Sequence, residues 1–465
     1  MPCYNTAMKK PRPFERPGQA GGPVLTLIYP DIQGRVGASD ALQPLALAAL
    51  AAHTPAHWNI RVFDERLERV DTSESSDLVA ISVLTFSARR AYALAADYRR
   101  RGVSVVMGGF HPTLLPEESA EFCDVVVTGD CEEIWPRVLE DFLAGGLERR
   151  YEGGVCSDPS LIRFDRSIFA GKKYSPLVPV QAARGCRYSC DFCSIHSFYG
   201  QHLISRPASQ VIDEIRQIPG RLILFTDDNL LAGGAELAPL LTGLKSLKKK
   251  WSCQISIDAV ADLPLLKEMA RAGCLSVFVG FESLDVASLK VMGKTGNLGH
   301  QDYEKAIKAF RQVGIMVSGA FVFGYPGDKA ETVHAALKFG VKNKLTLCHF
   351  NTLFPFPKTR VYDRLEAQGR LLYSRWWLDP NFRYGDMMFL PETMDPDELA
   401  QTCYAARQEF NSWANIVRRG GDIKSNARSL WNLGAFLAAN LVSRREIRRK
   451  HGRHLGEPDP SGGRQ

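Results

Sequence analysis

Short apolar runs alternate with amphipathic stretches along most of this chain. The runs at 24–29 (VLTLIY), 59–63, 78–83 (LVAISV), 103–107 and 125–128 are too short for helices. Such runs predict buried strands. Helical composition lies between them at 41–52 and 88–100, and the alternation predicts an α/β fold with a doubly wound parallel sheet over 23–148. A less regular link follows at 149–177. Strands are then expected at 178–182, 222–226, 254–257, 276–281, 316–323 and 346–350, with helices such as 263–272 and 303–313 between them. Six strands, each followed by a helix, predict a partial (β/α)6 TIM barrel over 178–372, whose chemistry belongs at the carboxyl ends of its strands.

Beyond residue 373 the chain is first irregular and aromatic, with Tyr373, Trp376, Trp377, Phe382, Tyr384 and Phe389, and then helical from Asp395, a mostly helical extension over 373–465. The aromatics suit a hydrophobic substrate or plain core packing. The first 22 residues, rich in Pro and Gly, read as a flexible tail without the apolar stretch of a signal peptide.

Composition narrows the class. A chain of 465 residues with 45% hydrophobic and 23% charged residues is globular and needs two or three cores. Its net charge of +7 is spread rather than striped, so nucleic acid is not expected as a partner. No segment reaches the roughly 18–20 consecutive apolar residues of a membrane span. The run at 430–442 (LWNLGAFLAANLV), followed by Arg444, Arg445, Arg448, Arg449 and Lys450, fits either of two roles. It suits an interfacial segment making peripheral membrane contact, or a buried terminal helix with a solvated basic end.

The 11 cysteines, an odd number with no secretory signal, argue against a disulfide framework. Three of them stand in Arg184-Gly185-Cys186-Arg187-Tyr188-Ser189-Cys190-Asp191-Phe192-Cys193. Three thiolates hold a four-iron cluster and leave one iron open to a substrate or cofactor. A Cys3His zinc site completed by His196, and with it a non-catalytic scaffold, is the competing reading. Cys3, Cys123, Cys131, Cys156, Cys253, Cys274, Cys348 and Cys403 are mostly single residues in apolar or helical surroundings and read as inert thiols.

At these residues the sequence resembles the radical S-adenosylmethionine (radical SAM) superfamily, and more closely its branch with an N-terminal cobalamin-binding-type domain. The resemblance implies that Cys186, Cys190 and Cys193 ligate a 4Fe-4S cluster whose open iron chelates SAM, with Phe192 as the aromatic residue that typically precedes the third cysteine. It further implies SAM contacts from the acidic turn of Asp227 and Asp228, from Glu282 and Ser283 with Lys294 downstream, and from Gly324 near the adenine. Carboxylates accept from an ammonium or ribose hydroxyls, and a cation answers a carboxylate. Phe354-Pro355-Phe356-Pro357-Lys358-Thr359 resembles a family turn in which Lys358 replaces glycine.

In the N-terminal unit, the loops holding Ser82 and Thr85, Gly108 and Gly109, and Gly129 and Glu132 resemble those around cobalamin. The Asp-x-His motif that supplies a cobalt ligand is absent, since Asp64 is followed by Glu65 and Arg66, and Cys131 stands where the third loop usually has glycine. The function implied is a cobalamin-dependent methyltransferase acting on an unactivated carbon of a hydrophobic or secondary-metabolite substrate, such as a lipid or tetrapyrrole. The alternative is a radical SAM oxidoreductase or cyclase whose N-terminal domain no longer binds cobalamin. Either form needs an electron donor such as flavodoxin or ferredoxin. Free thiols and an oxygen-sensitive cluster imply a reducing cytoplasm.

Overall fold

The computed structural model describes residues 14–16, 18, 21–32, 38, 40–300 and 302–456. They form two compact units, the described residues up to Gly154 with Arg163–Tyr174 and Gly456, and those of Val155–Ile162 with Ser175–Leu455.

The first unit is one sheet of seven strands: β1 (Phe14–Arg16), β2 (Val24–Tyr29), β3 (Asn59–Asp64), β4 (Leu78–Ser82), β5 (Ser104–Gly108), β6 (Val125–Thr128) and β7 (Arg150–Glu152), in the order β1-β3-β2-β4-β5-β6-β7. All neighbours pair in parallel except β1 with β3. Every residue of β4 is buried, as a central strand covered on both faces requires. The chain order reverses beside β2, so the crevice for a ligand lies beyond the carboxyl ends of β2 and β4.

Two boundaries differ from expectation. Most of the tail expected over 1–22 lies outside the described residues, but β1 falls within it, and the Arg16 guanidinium donates to Asp165 at 2.8 Å. The link expected at 149–177 is divided between the units. Its Tyr151, Ile168 and Phe169 are buried in the first core, which draws 163–174 back to that unit.

The second unit winds once. Strands β8 (Leu177–Val180), β11 (Leu222–Phe225), β12 (Lys250–Ile255), β13 (Cys274–Glu282), β14 (Met316–Phe323) and β15 (Cys348–Thr352) pair in parallel in chain order. Between the first two lies a hairpin of β9 (Ala183–Arg184) and β10 (Ile204–Ser205). Sequential order is the winding of a partial barrel. Trp251, Cys253 and Ile255 of β12 are buried outward while Lys250, Ser252 and Gln254 alternate to the other face. Those polar positions explain why the strand expected at 254–257 starts earlier.

In the extension, Trp376, Trp377, Phe382 and Phe389 are buried. Trp376 packs edge-on against Phe356, and its indole N–H donates to the Pro355 carbonyl at 2.9 Å. These aromatics are core packing around the 354–359 turn. Lys358 there has φ +62°, so the turn keeps the left-handed backbone that glycine serves elsewhere, and its carbonyl accepts from Ser197 at 2.8 Å.

Candidate functional site

The three cysteines occupy the loop between β9 and the short helix Ser194–Tyr199, at the carboxyl end of the first barrel strand. Gly185 leads into it at φ +85°, where an added Cβ would strike the His202 carbonyl, so only glycine fits this close approach. Asp191, between the second and third cysteines, fixes the loop from four directions. Its N–H donates to Met292 at 3.0 Å and its carbonyl accepts from Val361 at 3.1 Å. Its carboxylate accepts from the Tyr325 hydroxyl at 2.6 Å and from Arg364 at 2.8 Å. Arg360 donates to the Ser189 carbonyl, and Tyr188 donates to Asp258 at 2.6 Å.

Asp227 and Asp228 also serve this loop. Asp227 accepts from the backbone N–H of Ala182 at 3.1 Å and from that of Ala183, and Asp228 from Gly185 at 3.0 Å. The acidic turn therefore anchors the strand-to-loop passage. Burial pushes the Asp227 carboxyl up to about 7 against those N–H groups. A carboxyl raised on folding holds more protons in the folded state, so stability falls as pH rises from about 4 to about 7. Asp227→Asn keeps an acceptor but cannot ionise. Its second-unit melting transition should show a shallower pH slope across that interval, and an unchanged slope in the variant would refute the assignment.

Burial pushes the Cys190 thiol up to about 12 and raises Cys193, while the Lys294 ammonium pulls both down. The N–H groups of Ile195 and His196 also favour the Cys193 thiolate. Unligated, these thiols stay protonated, and iron would deprotonate them on binding. Among the described residues no three His, Cys, Asp or Glu side chains stand at the spacing of a single metal ion. A cubane spreads its cysteines over different irons and so does not need three donors around one ion, whereas a Cys3His zinc site does.

At the end of β13 the register with β14 shifts between Gly280 and Glu282, and Glu282 takes φ +62°. A bulge with a left-handed non-glycine residue re-aims a side chain at a backbone cost. Glu282 meets Lys294 at 2.8 Å. Gly280 leaves room for the pair, since an added Cβ would lie 3.0 Å from Lys294 Nζ. Ser283 accepts from the Asp285 N–H at 3.0 Å. Gly324 lies under the Phe389 ring, 2.7 Å from where a Cβ would be, and its N–H donates to Asp328 at 2.9 Å. Phe192 is half-buried and packs on the barrel core.

The face of the barrel sheet opposite its helices carries residues that no motif pointed to. Gln254, Phe278, His349 and Asn351 alternate with core residues on β12, β13 and β15. The Phe278 and His349 rings meet at 5.7 Å. His349 is exposed on this face, while desolvation by the protein around it and, next, the Arg407 guanidinium push its imidazole down to about 4, so it is neutral at pH 7. Only the period-two pattern HxN after Cys348 could have placed these side chains inward.

In the first unit Ser82 and Thr85 are buried at the end of β4, beside the crevice. Gly109 follows β5 and packs on the Val83 backbone, while Gly129 packs on Gly154. Glu132 is buried, and Cys131 is half-buried. Arg66, where the cobalt-ligating histidine would stand, donates to Asp64 at 2.6 and 2.9 Å and lies 4.5 Å over the Tyr29 ring.

A singly wound parallel barrel with three thiols on the loop after its first strand defines an iron–sulfur enzyme class whose chemistry sits at the strand ends. Residues 180–340 match the model of the radical SAM superfamily. The chain is 28% identical over 389 residues to the bacteriochlorophyllide d C-12(1)-methyltransferase of Chlorobaculum tepidum, covering 81% of this chain and 84% of that one. It is 25% identical over 352 residues to the hopanoid C-2 methylase of Rhodopseudomonas palustris, covering 72% and 66%. The fold is that of the radical SAM methyltransferase TsrM from Kitasatospora setae, solved with cobalamin and a 4Fe-4S cluster, at a TM-score of 0.65 and 17% identity over 92% of this chain and 99% of that one.

Proposed function

We propose that this chain is a cobalamin-dependent radical SAM C-methyltransferase acting on an unactivated carbon of a tetrapyrrole. The observation that carries the reading is the order of its parts, a doubly wound unit followed by the cysteine-loop barrel, aligned over most of its length with a bacteriochlorophyllide methyltransferase. Cys186, Cys190 and Cys193 would hold the cluster. Glu282, Ser283 and Lys294 would meet the polar end of SAM, with Phe192 and Gly324 beside it and Asp227 and Asp228 setting the loop. Ser82, Thr85, Gly108, Gly109, Gly129 and Glu132 would surround cobalamin. Arg66 is committed to Asp64, so cobalt would take no ligand from that position. When bound, the cluster and SAM supply a hydrogen-abstracting radical and cobalamin the methyl group. The barrel's own task is to orient the acceptor against Phe278 and His349 and to exclude water.

Protein reconstituted without oxygen with iron, sulfide and hydroxocobalamin, reduced by flavodoxin and given methyl-labelled SAM with chlorins, should retain cobalamin and label the chlorin. S-adenosylhomocysteine and 5′-deoxyadenosine should both form. Formation of 5′-deoxyadenosine alone marks the cyclase or oxidoreductase instead. Retention of no cobalamin and transfer of no label would refute the reading.

A further inference from the structure

The helix Leu430–Lys450 is inverted. The face it turns inward carries Asn432, Phe436, Asn440 and Glu446, all buried. The face it turns outward carries Leu430, Trp431, Leu437 and Leu441, all exposed, Leu430 to 89%. The inward polar groups are matched. Asn440 donates to the carbonyls of Thr346 at 3.1 Å and Phe436 at 2.8 Å, and accepts from the buried Arg419 at 2.9 Å. Arg419 in turn donates to the carbonyls of Leu345, Thr346 and Phe410. Rotating the helix to bury its leucines would strip partners from buried polar groups. The apolar stripe is therefore held outward by a polar seat.

The preceding helix Trp413–Gly420 also exposes apolar side chains, Trp413 and Val417, the latter to 73%, and Ile423 follows at 78%. The two helices lie together: the Arg444 guanidinium sits 5.1 Å over the Trp413 ring, and Phe436 packs at Gly420. Seven of the fifteen large apolar side chains exposed among the described residues fall in 413–441, a concentration far from random scatter. The charge there has one sign. Arg418, Lys424, Arg428, Arg445 and Arg448 are exposed, whereas the acids of 411–450, Asp422 and Glu446, are both buried, and Asp422 is paired with Arg311 at 2.7 Å.

We infer that this face docks on the surface of an anionic lipid bilayer. Apolar side chains flanked by arginines enter the headgroup boundary and draw on its negative potential. A two-fold pairing of the same face with a second copy would set like charges against one another. Among the described residues no helix is long and apolar enough to cross a membrane, so contact would lie in the interfacial plane. The inference does not depend on the methyl-transfer reading.

Flotation of the full chain with phosphatidylcholine vesicles, with and without phosphatidylserine, tests it. The protein should float with the anionic vesicles and be released by salt. The triple variant Val417→Glu, Leu437→Glu, Leu441→Glu should lose binding about tenfold or more. Because all three side chains are exposed, the variant should keep wild-type iron content and melting. Arg445→Gln and Arg448→Gln should each weaken binding about fivefold at low salt. Wild-type protein that stays in the bottom fraction, or a triple variant that floats equally well, overturns the inference. So does a wild-type dimer in sedimentation that the triple variant dissociates without any vesicle binding by either form.

Discussion

Cys190→Ser protein, reconstituted without oxygen with iron and sulfide, should carry no four-iron chromophore, and its reductive cleavage of SAM should fall to the level of protein-free solution. Cys190 is the most buried of the three cysteines, and burial pushes its thiol up to about 12 with Lys294 the main opposing influence. Iron displaces that proton because a thiolate is a strong ligand, whereas a serine hydroxyl is far harder to deprotonate in the same buried place. Two thiolates would then remain for a centre that needs three, and the cluster would be lost rather than weakened. Cys131→Ser, outside the loop, should retain full iron and full cleavage. His196→Ala separates the metals. A zinc site of Cys3His would lose its metal in that variant, while a cubane keeps its iron. Wild-type iron in Cys190→Ser, or loss of all metal in His196→Ala, would sink the assignment. Iron and sulfide analysis together with electron paramagnetic resonance of the reduced protein reads every outcome.

What the sequence disclosed follows from the range over which each signal acts. CxxxCxxC is local, and a ten-residue loop shows its chemistry without any tertiary context. Short apolar runs separated by helices likewise announced both sheets, because a strand covered on both faces must be apolar throughout. The start of β12 was hidden, since Lys250, Ser252 and Gln254 face away from the helices and break the apolar run. The bulge at Phe281 and the left-handed Glu282 arise from how β13 pairs with β14, which no spacing records. Asp227 and Asp228 read from the resemblance as SAM contacts, and their backbone partners were not legible because a carboxylate's partner is invisible in one dimension. Here the partners are N–H groups more than forty residues earlier. The inverted helix was ambiguous for a related reason. The run at 430–442 is apolar by composition, and only Arg419 and Thr346, distant in sequence, decide that its asparagines rather than its leucines turn inward.

Asp191→Ala should be the most damaging change outside the cysteines themselves. One side chain joins the cysteine loop to Tyr325 after β14 and to Arg364 on the helix Arg360–Ala367, at 2.6 and 2.8 Å. Burial and the neighbouring Asp191 charge hold the Tyr325 hydroxyl well above the usual phenol range, so it stays protonated and needs an acceptor. Removing the carboxylate leaves that hydroxyl unsatisfied, and the Arg364 cation without its partner. Breaking a fully buried pair costs about 3–5 kcal/mol, but the Arg364 side chain is 39% exposed and water would solvate part of its charge. The expected loss is then about 2–3 kcal/mol. The effect on the site should exceed that on the fold, because the loop's geometry sets which face of the cluster stays open. Groups that orient metal ligands typically contribute 10–100-fold to affinity or activity, and a decrease of about that size is expected in SAM cleavage, with faster loss of iron to a chelator. Asp191→Asn keeps an oxygen for Tyr325 but not the charge for Arg364. It should therefore fall between wild type and alanine in melting temperature and in iron retention. Tyr325→Phe removes the other half of the bond and should approach the alanine variant in iron loss while leaving the Arg364 pair intact. An alanine variant that matches wild type in both chelator resistance and SAM cleavage would show that the backbone bonds of Asp191 to Met292 and Val361 suffice to hold the loop.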